Sequence, residues 1–435
     1  MRNNRFINLY IRKSSKQRKR FSPAVSRQVA KFTGHITLRH ESGTLNKKSC
    51  TSPIMGNNYE ENINMTLQLS RWVLLPMGAW PTSSKLSRTA RYLNRLANYI
   101  CYGFMFLLLG PSIGYVFINM ESTYLKIKNT GPLSFLIMAT IKYYWLLRNE
   151  ENIRVCLQRV ESDWKSIKHV DDQSIVMINA SFGKRLIIIC TVFMFGSELF
   201  YNVTGPIRAV RAMSEIQNVS DLSVNCPPSR ALLHNWTSYA NEIFYLIQFL
   251  STIFATATTV GACSLAAIFT THACGQMEIV MLWLQHLIDG REDLCMDLNS
   301  RFAVIVRNFI ERVETILQNI SLVEVFGCTA NMCFLGYYII MVCECVVLLS
   351  LTFNIFIFCY VGELVTEQVF GTMSYMIDWY RLPGRKNLDL ILIIAMSNTS
   401  FKLTAGNIIK LSISSFGDVV KAAVTYLNML RTVTS

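Results

Sequence analysis

Charged side chains are scarce in this sequence. Asp, Glu, Lys and Arg make up 16% of the 435 residues, against about a quarter in ordinary soluble domains. With only 10 Pro and 21 Gly, the chain is neither collagen-like nor low-complexity, and its apolar content excludes a disordered protein. It contains no G-x-G-x-x-G, no G-x-x-x-x-G-K-[ST], no H-E-x-x-H and no C-x-x-C pair at zinc-ribbon spacing. Those absences argue against dinucleotide and P-loop nucleotide binding and against zinc chemistry. His272 with Cys274, and Cys343 with Cys345, are isolated pairs that cannot supply four metal ligands. The six His are scattered. The expectation is therefore no catalytic residue, no metal and no cofactor.

What the sequence has in abundance is apolar surface. The AVILMFWYC set accounts for 51% of residues, and mean hydropathy is +0.30. Most of the 13 Cys lie in apolar runs, as do Cys101, Cys190, Cys263, Cys328, Cys333 and Cys359, where they act as small hydrophobes. Cys226 sits instead in a polar loop beside Pro227 and Pro228. It either pairs with Cys343 or Cys345 or stays free, since connectivity is not written in sequence.

A helix needs about 20 largely apolar residues to cross a hydrocarbon core of ~30 Å. Seven stretches qualify, near residues 97–118, 131–147, 186–204, 243–270, 322–341, 345–363 and 404–433. The second is interrupted by Lys142, and the last mixes Asn, Ser, Asp, Lys and Thr into its run. A membrane β-barrel would show shorter, alternating segments. The expected fold is an all-α membrane protein of seven transmembrane helices.

Lys and Arg outside the spans divide 33 to six between the two sides. The positive-inside rule then puts the N-terminus in the cytoplasm and the C-terminus outside. Sequons at Asn202, Asn218 and Asn235 flank or lie in the third loop, which this orientation makes extracellular, so they are the candidate glycosylation sites. Residues 1–64 carry 13 Lys and Arg, including the run RKSSKQRKR, and hold +10 of the net +14. Once that segment is set apart, the basic excess reads as membrane sidedness, and no nucleic-acid partner is expected.

Two features could carry function. The middle spans present aromatic, Met and small residues with a few amides and hydroxyls, among them Phe135, Met138, Phe193, Gly196, Phe200, Gln248 and Thr252. Apolar walls with few polar groups suit a small volatile ligand; they equally suit a helix-packing core. In the last span Asn407, Lys410, Ser414, Asp418, Lys421, Thr425, Asn428 and Thr432 recur every three or four residues. Such a stripe at membrane depth must meet protein or water. It either lines an aqueous pore or packs against neighbouring helices.

The segment MSYMIDWYRLPGRKNLDLILIIAMSNTSFKLTAGNIIKLSISSFGDVVKAAVTYLNMLR (Met373 to Arg431) resembles the C-terminal signature of the insect odorant receptors. FIFCYVGELVTEQ (Phe356 to Gln368) and RWVLLPMGAWP (Arg71 to Pro81) are similar to other parts of that family. The LPG and LTAGNI wording is closest to hymenopteran-type receptors. The resemblance covers about residues 65–435. It implies an odorant-sensing subunit of a ligand-gated cation channel. That subunit would form a heterotetramer with a shared co-receptor and span the plasma membrane of sensory neurons. A small volatile odorant or pheromone would bind among the outer halves of the helices. The last helix would divide into a cytoplasmic anchor near Ser374–Met396 and a pore-lining part, with Thr425, Asn428, Met429, Thr432 and Val433 at the pore and gate. In that arrangement Met429 and Val433 form the hydrophobic gate and Thr432 the polar filter.

Two departures accompany the resemblance. Family chains begin near Met65, so residues 1–64 are expected to be a basic, disordered extension or an artefact of the gene model. The link between the fifth and sixth spans is also shorter than the family's. The alternative is a metabotropic seven-helix chemoreceptor or pheromone receptor acting through a G protein, which requires the opposite orientation. A transporter would show inverted repeats, and none is present.

Overall fold

The computed structural model describes residues 59–81, 88–119, 123–167, 169–215, 238–288, 308–337, 342–367 and 402–434. Nearly all of them are helical: α1 (Tyr59–Leu74), α2 (Arg88–Gly114), α3 (Thr123–Arg148), α4 (Glu150–Ser166), α5 (Val170–Glu215), α6 (Ser238–Ile288), α7 (Ile310–Tyr337), α8 (Val342–Glu367) and α9 (Ile413–Thr434). A two-stranded hairpin, β1 (Thr404–Ala405) and β2 (Ile409–Lys410), precedes α9. These elements belong to one compact unit, Asn58–Ser435. The basic segment 1–58 and the expected anchor at 374–396 lie outside the described residues. The boundary expected at residue 64 falls inside α1.

The described parts of the first six apolar stretches lie on helices, and the seventh does so from Ile413 onward. Among the described residues, α2, α5, α6, α7 and α8 contain segments long and apolar enough to cross a membrane. Lys126, Lys128 and Lys142 dilute α3, and α9 carries its polar stripe. The helices outrun the expected spans. At 1.5 Å per residue, the 46 residues of α5 and the 51 of α6 measure about 69 and 77 Å, more than twice a hydrocarbon core.

Helix α6 is the core of the unit. From Ala255 to Met277 every residue is buried, and the stretch is rich in Ala, Thr, Ser, Gly and Cys, small enough for close approach of neighbouring helices. A Cβ on Gly261 would stand 2.3 Å from Leu74 Cδ2 of α1, so glycine is what lets those two helices touch. The hydroxyls of Thr258, Thr259, Thr270 and Thr271 donate to carbonyls one turn back, which satisfies them without any partner helix. Around α6, the outer helices expose large apolar side chains, such as Tyr99, Phe106 and Leu107 on α2 and Val192 and Leu199 on α5.

Helix α4 is amphipathic rather than spanning. Ile153, Cys156, Leu157, Val160 and Trp164 are buried at helical spacing, while Arg154 and Lys165 pair with Glu151 and Glu161 on its outer face. Burial pushes the Cys156 thiol up to about 12, so it stays protonated and inert.

The last span requires a correction: its helix begins at Ile413, not at Thr404. Gly406 (φ +60) and Asn407 (φ 58) occupy the left-handed region, which reverses the chain instead of continuing a helix. Ser412 then caps α9, its Oγ accepting the Ser415 amide at 3.1 Å. Asn407 and Lys410 therefore belong to the hairpin and not to the helical stripe.

Candidate functional site

A cavity of about 120 Å³ opens between six helices. It is of the order of the ~150 Å³ apolar cavity known to hold benzene. Helix α2 supplies Leu108 and Ser112; α3 supplies Leu133, Phe135 and Leu136 beside Gly131-Pro132. Helix α5 contributes Met194, Ser197, Glu198 and Tyr201, and α6 contributes Gln248, Thr252 and Thr256. Asn331 and Leu335 of α7 with Val347, Ser350 and Leu351 of α8 complete the lining, which makes a sixth contributing helix. Pro132 has no amide hydrogen to give to α3. The neighbouring Ser134 hydroxyl lies 2.9 Å from the Gly131 carbonyl and 2.7 Å from Asn331 Oδ1, joining α3 to α7.

Most polar atoms of the wall are already satisfied. Ser112 donates to the Leu108 carbonyl at 2.6 Å and Ser197 to the Met194 carbonyl at 2.9 Å. Asn331 Nδ2 donates to the Gly327 carbonyl. Glu198 accepts from Asn202 Nδ2 at 2.5 Å and from Thr256 Oγ1 at 3.4 Å. Gln248 is 7% exposed, and its amide has no hydrogen-bond partner among the described residues.

The candidate ligand residues divide. Phe135, Gln248 and Thr252 line this cavity, while Met138, Phe193, Gly196 and Phe200 do not. Met138 is buried against Gly327 of α7, where a Cβ would stand 2.2 Å from its sulfur. Phe193 is 45% exposed and stacks on Phe353 at 4.9 Å; Gly196 and Phe200 are exposed on the same side of α5. Positions 193, 196 and 200 were read at helical spacing but one residue out of register. The inward set is 194, 197, 198 and 201. The signal available was Ser197 and Glu198, polar residues in a run where lipid-facing positions cannot be polar.

Six residues beyond Leu136 on α3, Lys142 is completely buried with Glu324 of α7, Nζ to Oε2 at 2.7 Å. Lys142 also donates to Thr259 of α6 at 2.8 Å. Glu324 accepts from Asn354 Nδ2 of α8 and lies 2.9 Å from Cys328 Sγ. This network ties α3, α6, α7 and α8 together one to two turns from the cavity. Lys142 was visible in the sequence only as an interruption; nothing there indicated its partner.

Helix α9 packs on α7 and α8 through one face. Val419 and Ala423 are buried, Phe416 meets Phe356 edge-on at 5.4 Å, and Leu427 covers Gly336. Arg431 Nη2 donates to the Gly336 carbonyl at 3.2 Å. Ser414, Asp418, Lys421, Thr425, Asn428 and Thr432 are exposed on the other side, together with Met429. Thr425 and Thr432 donate to the carbonyls of Lys421 and Asn428 within α9, and Lys421 lies 3.7 Å from Asp418. The stripe thus faces away from this chain's own helices. Val433 is in the last turn of α9, its side chain outside the described residues.

Of the candidate glycosylation sites, Asn218 and Asn235 lie outside the described residues. Asn202 requires correction: it is 3% exposed and its amide is bonded to Glu198, so it is not presented to a glycosylating enzyme in this fold. Cys345 is a free thiol, and Cys226 lies outside the described residues. Among the described residues no three His, Cys, Asp or Glu converge on a metal-sized site. His272 lies 3.1 Å from Asp163, which is also ion-paired with Arg159 at 2.9 Å.

Comparison with known proteins returns a family and a fold. The family model described as 7tm Odorant receptor matches residues 124–424. The structure of the insect olfactory receptor OR5 from Machilis hrabei in complex with eugenol superposes with a TM-score of 0.72 at 12% identity, covering 87% of this chain and 100% of that one. A second structure of the same receptor gives 0.68 at 13% identity, covering 86% and 99%. No curated protein sequence matches the chain.

Proposed function

Because the chain belongs to the 7tm odorant receptor family, we propose that it is the ligand-sensing subunit of an odorant-gated cation channel. It is a multi-pass membrane receptor, not an enzyme. Under the proposal α2, α3 and α5 to α9 are seven transmembrane helices, with the N-terminus in the cytoplasm and the C-terminus outside. The sidedness of Lys and Arg supports that orientation. The protein resides in the plasma membrane of sensory neurons and assembles with a co-receptor subunit into a heterotetramer. Asn218 and Asn235 carry the glycans.

A small volatile odorant or pheromone occupies the cavity against Phe135, Gln248 and Thr252. The solved relative, bound to eugenol, supports a ligand of that kind. Thr425, Asn428, Met429, Thr432 and Val433 face the pore. One observation carries this reading: the helices that line the cavity also hold α9. Leu335 lines it while the next residue, Gly336, receives Leu427 and Arg431. Val347, Ser350 and Leu351 line it on α8, whose Phe356 packs against Phe416. A ligand that favours one packing of α7 and α8 therefore biases the position of α9, which is how binding shifts a gate without covalent chemistry.

The test is to fill the cavity. Met194→Trp, co-expressed with the co-receptor subunit and present at the cell surface in normal amount, abolishes odorant-evoked current. A full response from that variant contradicts the assignment of the cavity.

A further inference from the structure

The cavity is not uniformly apolar, and its most continuous polar row runs along one wall. Gln248, Thr252 and Thr256 follow one another at four-residue spacing along α6, and Glu198 of α5 is bonded to the last of them. The facing wall, from α2, the turn that follows it and α3, is mostly apolar: Leu108, Val116, Leu133, Phe135 and Leu136, interrupted by Ser112, whose hydroxyl is spent on the Leu108 carbonyl, and by Asn129. A ligand with one polar end has one preferred orientation here.

Besides the Thr252 and Thr256 hydroxyls, the groups of that wall with acceptor capacity left are Glu198 and Gln248. The Glu198 carboxylate has about four lone-pair sites and receives neutral donors from Asn202, Thr252 and Thr256, the last at a long 3.4 Å, which leaves one site open. Among the described residues no Lys, Arg or His lies within ion-pair distance of it. Gln248, buried and without a partner for its amide among the described residues, offers a carbonyl to the same space. Buried acceptors left without donors cost free energy. A ligand that brings a donor recovers it; an acceptor-only ligand of the same shape sets its lone pairs against those of Glu198 and finds a donor only in the Gln248 NH2.

We propose that this cavity selects compact apolar molecules carrying a hydrogen-bond donor, an alcohol, phenol or amine, with Glu198 accepting that donor and Gln248 holding the same end. The inference rests on the cavity being the odorant site and adds the chemical class of ligand. Ethers, esters and hydrocarbons of equal size are discriminated against.

The full chain, co-expressed with the co-receptor subunit, is challenged with phenylethanol, its isomer benzyl methyl ether, phenylethylamine and ethylbenzene, and with a straight-chain set built the same way. Evoked current is recorded against concentration, and surface amount is measured by labelling. The wild type responds to the donor-bearing members at concentrations roughly tenfold or more below those needed for the ether and hydrocarbon. Glu198→Gln loses most of that preference while retaining shape. If Glu198→Gln fails to reach the surface, Gln248→Leu replaces it, since that substitution removes no bond made among the described residues. Silence of every donor-bearing probe, or equal potency of alcohol and ether, overturns the proposal. Met194→Trp separates the two levels. Where it abolishes responses but Glu198→Gln leaves the preference intact, the cavity assignment stands and the donor rule falls. Where Met194→Trp leaves responses intact, the cavity assignment itself fails.

Discussion

Lys142 and Glu324 show how a single pair can fix the inside of a helical bundle. Both are fully buried, and a charge taken out of water is costly unless it is paired and hydrogen-bonded. Thr259, Asn354 and Cys328 supply the remaining contacts. Lys142→Met leaves Glu324 a buried acid facing no cation and is expected to cost about 3–5 kcal/mol. Lys142→Met with Glu324→Leu removes both charges and recovers much of that loss. Thermal unfolding of the detergent-solubilised receptor checks this, and a double variant less stable than the single one contradicts it. At this scale the sequence was only partly legible. It marked Lys142 as anomalous, but Glu324 lies 182 positions away, and no local pattern connects the two. The cavity wall of α5 was missed by one residue, because Phe193 and Phe200 look as ligand-like as Met194 and Tyr201 until the helix's orientation is known.

At the scale of elements, α9 is the informative case. Its polar stripe was legible from Ser414 to Thr432 because six polar positions at steps of three or four define one helical face. The periodicity could not reveal that Gly406 and Asn407 reverse the chain before the helix starts, since polar residues in a turn keep any period by coincidence. Nor could it tell a pore-facing stripe from one packed inward. The fold narrows that choice: Phe416, Val419, Ala423 and Leu427 take the inward face. Single cysteines placed at Asp418, Lys421, Thr425, Asn428 and Thr432 should react with a water-soluble thiol reagent in intact membranes. Cysteines at Val419, Ala423 and Leu427 should react more slowly, by more than about tenfold. Uniformly slow reaction along α9 would mean that lipid or packed protein, not water, covers the stripe.

For the whole molecule, long uncharged runs announced a helical membrane protein because a span of lipid demands some 20 apolar residues. Helix length beyond the bilayer was hidden, since the ends of α5 and α6 have mixed composition once they leave it. The cavity was hidden too, because it is made by six helices from distant parts of the chain. What joins site to gate is shared support: α7 and α8 carry cavity residues on one side and α9 on another. Under the proposed function, that arrangement makes a receptor whose ligand acts on ion flow within the same complex, with no messenger between. Reconstitution tests this directly. The purified chain and co-receptor subunit are placed in lipid vesicles without any G protein, and cation flux is followed on adding a ligand that raises the receptor's melting temperature. The account predicts ligand-dependent flux that falls when Thr432 is replaced by Lys. Ligand binding with no flux, or flux indifferent to Thr432→Lys, would contradict it.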